Sequence, residues 1–94
     1  MVFDVFVEVR LREGIADPQG ATIEGALPAL GFGGVEGVKV GKAIRFRLDS
    51  PDEETARSEV DDLCNRFLTN PVIEDAAVSL RAVPAEVASL QGAD

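Results

Sequence analysis

The residues of this 94-residue sequence with types suited to chemistry are a glycine cluster, a run of carboxylates, one cysteine and nine basic side chains. The glycine cluster, GFGGVEG at 31–37, has the composition of a phosphate loop, in which backbone N–H groups close around an anion. Its spacing does not fit, because Gly31 and Gly33 need a third glycine at position 36, where Glu36 stands. A dinucleotide loop also leaves a strand and opens a helix, whereas this cluster follows a predicted helix. The VGK triplet at 40–42 is not a Walker loop either. Glu36 takes the place of its leading glycine, and Ala43 that of the Ser or Thr. A plain connection accounts for these glycines better.

Six carboxylates lie between 52 and 62. Asp52, Glu53 and Glu54 stand where a helix start favours negative charge, and Glu59, Asp61 and Asp62 spread around the helix. They form a solvated face more readily than a metal cage. Cys64 falls on an apolar stripe with no His or Lys beside it, which fits a small core residue better than a nucleophile. The sequence has no His, so the familiar His-based triads, general bases and zinc sites are unavailable. No catalytic residue, metal ligand or cofactor-binding residue is therefore assigned to this chain.

The basic residues carry more information. Arg10, Lys39, Arg45 and Arg47 are expected on the outer face of a sheet, with Arg12 just beyond a strand end. Two readings stand side by side. The charges pair across strands with Asp4 and Glu8, or they form a docking surface to which Phe6, Val2 and Ala77 add apolar contact.

The elements that position these residues follow from periodicity. Over 2–11, Phe3, Val5, Val7, Val9 and Leu11 alternate with Val2, Asp4, Phe6, Glu8 and Arg10, the pattern of a strand. Asp17 and Pro18 begin a helix over about 18–30 as cap and first residue. Its apolar stripe is Ile23, Ala26, Leu27 and Leu30, and Gly31 ends it. Gly20, Gly25 and Pro28 interrupt it, and Pro28 should tighten its last turn and free the Glu24 carbonyl. Val38 and Val40 then alternate inward, Gly41 and Lys42 make a two-residue turn, and Ile44, Phe46 and Leu48 alternate inward again. Ser50, Pro51 and Glu53 read as a capping box for a second helix with the buried stripe Ala56, Val60, Leu63, Cys64 and Phe67. Asn70 and Pro71 end that helix, and a last strand runs over about 73–81. The order β-α-β-β-α-β implies an α+β, ferredoxin-like sandwich with an antiparallel sheet and two helices on one face. A single domain is expected over 1–81. For the tail, 82–94, both an unstructured terminus and one helical turn around Val87 and Leu90 fit.

Composition narrows the partners. A chain of this length buries only about 60–65% of its unfolded surface, so an oligomer, a dimer or dimer of dimers, is expected. A net charge of −8 speaks against nucleic acid. No apolar run is long enough for a membrane span, and a single cysteine suits a reducing, cytoplasmic setting.

Six short pieces of the sequence recur together in one known family. They are REG at 12–14, DPQG at 17–20, GAL at 25–27, LGF at 30–32, VKVGK at 38–42 and NPVIED at 70–75. In this order and spacing, over about 2–81, the sequence resembles PurS, the small subunit of phosphoribosylformylglycinamidine synthase. The resemblance implies a non-catalytic assembly subunit in purine biosynthesis. Its partners would be a PurL synthase subunit, which uses ATP and Mg, and a PurQ glutaminase subunit, which releases ammonia. Its motifs add Asp17, Pro18, Gly20, Gly41, Lys42, Asn70 and Pro71 as candidate interface residues to the outer-face set of Phe6, Arg10, Lys39, Arg45 and Arg47. An ACT-like domain that binds small molecules shares the strand order and is the alternative. An acylphosphatase-like enzyme shares it too, but no phosphate-cradling loop is recognisable here.

Overall fold

Alternation over ten residues produces the central strand, β1 (Val2–Leu11). Its odd residues Phe3, Val5, Val7 and Val9 are each 2% exposed or less. In the computed structural model, which describes residues 1–84, β1 lies between β2 (Lys42–Asp49) and β3 (Glu74–Val83) and is antiparallel to both. The register places Val5 opposite Phe46 and Leu80, and Asp4 opposite Arg47 and Arg81. One face therefore carries the core, and the other carries the charges.

The core forms where α2 (Glu53–Leu63) lays Ala56 and Val60 on Phe3, Val5, Val7 and Val9, joined by Cys64. Ile44, Phe46, Leu48, Leu68, Val78 and Leu80 pack around this cluster. The first helix, α1 (Pro18–Ala26), is capped as its sequence predicts, and it contributes no residue to the buried cluster. A 3-10 turn over Pro28–Leu30 follows it, and Gly31 closes it in the left-handed conformation at φ 94°. Pro28 does tighten the end, since the Leu27 N–H reaches back to the Glu24 carbonyl at 3.4 Å. The arrangement is α+β and ferredoxin-like.

Four expectations need correction. The hairpin at Gly41 and Lys42 does not form, and the described residues hold three strands. The N–H groups of Val38 and Val40 donate instead to carboxylates, Glu24 Oε1 at 3.0 Å and Asp17 Oδ2 at 2.8 Å. Lys42 is already the first residue of β2, opposite Val9. Second, the cap of α2 is Asp52, whose Oδ1 accepts from the Thr55 N–H at 2.7 Å. Ser50 is buried two residues earlier, where its hydroxyl donates to Glu59 Oε1 at 2.9 Å. Third, α2 passes into a π turn over Cys64–Leu68, in which the Thr69 N–H donates to the Cys64 carbonyl five residues back. The wider turn gives the core position to Leu68 and leaves Phe67 81% exposed. Fourth, β3 continues to Val83, so Ala82 and Val83 pair with Phe3 and Val2 instead of starting a tail. The helical turn expected at Val87 and Leu90 lies outside the described residues.

Candidate interaction site

Three groups of residues hold the expected interface positions. The first is an arm running from α1 to Val40. Asp17 is its hub. Oδ1 accepts from the Gly20 N–H at 2.9 Å, which caps α1, and Oδ2 accepts from the Val40 N–H, 23 residues away in sequence. One carboxylate thus ties the start of the helix to the end of the connection. These bonds favour its charged form. The Val40 N–H first, then that of Gly20, hold the Asp17 carboxyl below the usual aspartate range. Pro18 begins the helix where no N–H is needed. Gly20 is buried because the chain returns directly over it. Any Cβ there would lie inside van der Waals contact of the Val38 carbonyl oxygen. Gly41 plays the same part on the sheet side, where an added Cβ would come within 2.6 Å of the Val9 carbonyl oxygen. The DPQG and VGK pieces are thus two halves of one backbone lock. Lys39 and Lys42 flank it, and both are exposed.

The second group is the outer sheet face. Phe6, Arg10, Arg45 and Arg47 emerge there as expected, and Arg81 joins them across β3. Lys39 does not, because its segment is not part of the sheet. Asp4 sits between two arginines, with Oδ2 2.9 Å from Arg81 Nη2 and Oδ1 2.9 Å from Arg47 Nε. Hydrogen bonds from Arg81 and then Arg47 hold its carboxyl below the usual range. The Arg45 guanidinium lies 5.0 Å above the centre of the Phe6 ring, a cation–π contact. Arg10 approaches Glu8 at 3.9 Å. Within the strands this face carries Asp4, Glu8, Asp49 and Asp75 against Arg10, Arg45, Arg47 and Arg81. Four charges of each sign leave a polar, self-paired surface around one aromatic ring, with no single-signed patch.

The third group is the turn before β3. Asn70 folds it locally, since its carbonyl accepts from the N–H groups of Ile73 and Glu74 and its side chain accepts from Val72 N–H. Arg12 fastens the turn to the end of β1 by donating to the Pro71 carbonyl at 3.0 Å and pairing with Asp75 at 3.0 Å. Asn70 and Pro71 are exposed. Ile73 and Glu74, from the same turn, face Asp17, Pro18, Gly41 and Lys42 across a shallow concavity, so the second half of this turn and the lock share one end of the sheet.

Sequence reasoning missed two members of these groups. Glu24 fastens the arm at Val38, and its helical spacing from Asp17 was the available signal. Arg81 shares the outward parity of Ala77 and Ser79 in its strand. The acidic run resolves into structural roles: Asp52 caps α2, Glu59 accepts from Ser50, and Asp62 pairs with Arg66 at 3.1 Å. Burial pushes the Cys64 thiol above its ordinary pKa, which suits an inert core residue.

The family model of PurS, phosphoribosylformylglycinamidine (FGAM) synthase, matches residues 4–82. The PurS subunit of that synthase from Methanothermobacter thermautotrophicus is 44% identical over 80 residues, covering 85% of this chain and 94% of the relative. The crystal structure of Methanocaldococcus jannaschii PurS superposes with a TM-score of 0.78 at 33% identity, covering 87% of this chain and 99% of that one. A chain in the structure of PurLQS from Thermotoga maritima superposes with a TM-score of 0.79 at 30% identity, covering 86% and 99%. The match takes in the arm lock, the outer face and the Asn70 turn alike, and by it this chain belongs to the PurS family.

Proposed function

We propose that this chain is the small subunit of phosphoribosylformylglycinamidine synthase and works by assembly, with no turnover of its own. The observation that carries this reading is the match of nearly the whole chain to a subunit of the PurLQS assembly. The chain's own chemistry agrees with it. Its perturbed carboxylates serve backbone and arginine partners, and its one thiol is buried. In this role it associates with itself and joins a PurL synthase and a PurQ glutaminase. Together they convert formylglycinamide ribonucleotide to the amidine in the cytoplasm, and ATP and Mg are used on the PurL subunit. The family assignment also decides against the ACT-like alternative.

Reconstitution tests the reading. The chain alone should release no ammonia from glutamine and hydrolyse no ATP. Added to the other two subunits, it should co-elute with them and be required for glutamine-dependent product. A PurL and PurQ pair that makes product equally well without it would remove the assembly role.

A further inference from the structure

The charge on the outer sheet face is balanced in total and ordered in detail. Row by row across the three strands, Asp49 lies beside Val2 and Val83, and Glu8 lies beside Ala43 and Ala77, so both of these rows are acidic. The two rows between them are basic. One joins Arg47 and Arg81 to Asp4, and the other joins Arg45 to Phe6 and Ser79. Three guanidinium groups against one carboxylate give this middle a local charge of +2, in a chain whose net charge is −8. The same residues, Asp4, Phe6, Arg45, Arg47, Ser79 and Arg81, line a broad concavity of about 660 Å³.

Much of that charge is open to a partner. Asp4 spans Arg47 and Arg81, one carboxylate oxygen to each, yet the Arg81 side chain is 81% exposed. Arg45 has no carboxylate or carbonyl partner among the described residues, and its guanidinium lies over the Phe6 ring. A cation–π contact holds the group in place without using up its N–H donors. The spacing then selects the occupant. Arg45 and Arg47 stand two residues apart on one strand, about 7 Å, and Arg47 and Arg81 stand two strand spacings apart, about 10 Å. With Arg47 and Arg81 on opposite oxygens of Asp4, a single phosphate is too small to meet all three arginines. Carboxylates at alternate positions of an extended segment repeat at about 7 Å on one face, which fits. A second copy laid on the same rows would set arginine against arginine, and nucleic acid would meet the repulsion of the whole acidic chain.

We infer that the middle of the outer face docks an acidic segment of a synthase subunit, whose carboxylates meet Arg45, Arg47 and Arg81 around the Phe6 ring. Asp4 is then an internal counter-charge, which orients two of the arginines and competes with the segment for them. This deepens the assembly role proposed above and rests on it. Binding of the full chain to the PurL and PurQ subunits, measured at about 0.05 M and about 0.5 M salt, tests it with three variants of native circular dichroism. Arg45→Gln and Arg81→Gln should each raise Kd about tenfold at low salt and flatten its salt dependence. Asp4→Asn should lower Kd at least about threefold, because a competing carboxylate is gone. Loss of a merely structural ion pair would have the opposite sign. No binding of the wild type at either salt would overturn the assembly role and this inference together. A wild type that binds no more and no less tightly than all three variants would overturn this inference alone, and so would weaker binding of Asp4→Asn. Altered sedimentation of the arginine variants with unaltered binding would assign the face to a second copy and also overturn it.

Discussion

α2 buries Ala56, Val60 and Cys64 against the sheet, whereas the only buried residue of α1 is Gly20. α2 is held by apolar area removed from water. α1 is held by a carboxylate bridging two N–H groups and by two glycines that let the backbone pass closely. The difference teaches how a small subunit divides its work. Burial is concentrated in one half, which folds the domain. The other half is shaped by directional polar bonds, and its apolar side chains stay outside.

The largest effect expected from this contrast is in the core. Phe3→Ala should cost about 3–5 kcal/mol in urea unfolding, the range for truncating a fully buried aromatic. Ile23→Ala, measured on dissociated chain, should stay within about 0.5 kcal/mol. Equal losses at the two positions would break the comparison. Next in size is a pair of identical substitutions within α1. Gly20→Ala places a methyl against the Val38 carbonyl and should cost about 1–3 kcal/mol. Gly25→Ala has nothing within 4 Å of the new carbon and should stabilise by up to about 1 kcal/mol through helix propensity. Amide exchange at Val38 and Val40 should speed up in the first variant and not in the second.

The half held by burial was mostly legible in the sequence. Strict alternation identified β1 and its core face, and the pattern of α2 identified Ala56, Val60 and Cys64. What escaped there was Leu63, which was expected in the buried stripe and is 38% exposed, and one extra residue in a turn. A 3.6-residue period carries Phe67 inward, and no side chain announces the π turn that exchanges it for Leu68. The arm was legible as a motif and not as a mechanism. Asp17, Gly20 and Gly41 stood out by type. Nothing local showed that Val38 and Val40 would give their N–H groups to Asp17 and Glu24 in place of a neighbouring strand. Val-Lys-Val alternation satisfies both outcomes equally. Ser50 and Asp52 posed a similar choice, since both are good caps. Ser50 was drawn into the core by Glu59, and Asp52 took the helix end.

A smaller effect should separate the two halves by pH. Bonds from Val40 and Gly20 depress the Asp17 carboxyl in the folded chain, so the unfolded chain binds the proton more readily. Its contribution is therefore complete above the ordinary aspartate value of 3.8 and is lost as pH falls below that value through the depressed one. Asp4 and Asp52 carry depressions of the same sign, which adds a general acid sensitivity. The arm is distinguished by place. The Val40 and Gly20 amide resonances should titrate together below pH 3.8, and Asp17→Asn should abolish that common step. Retention of the step in the Asn variant would mean that another carboxylate reports there.

The smallest effect belongs to the outer face, and it separates two arginines on the same strand. Arg45 stacks on Phe6, and Arg47 bridges to Asp4 beside Arg81. Arg45→Glu removes an exposed cation–π contact worth about 0.5–1 kcal/mol and brings no carboxylate directly opposite another on β1. Arg47→Glu does bring one, because Asp4 is its cross-strand partner, and like charges directly opposite repel. Salt largely screens exposed charges that lie farther apart than the Debye length, about 10 Å at 0.1 M and about 3 Å at 1 M. A directly opposed pair is thus screened only toward the higher concentration. The deficit of Arg47→Glu should therefore shrink between low and high salt, while that of Arg45→Glu should change less. Urea midpoints at the two ionic strengths decide the matter. If both deficits respond to salt alike, the outer face acts as one averaged field of balanced charge. If only Arg47→Glu responds, the face is built from separate pairs around the Phe6 ring.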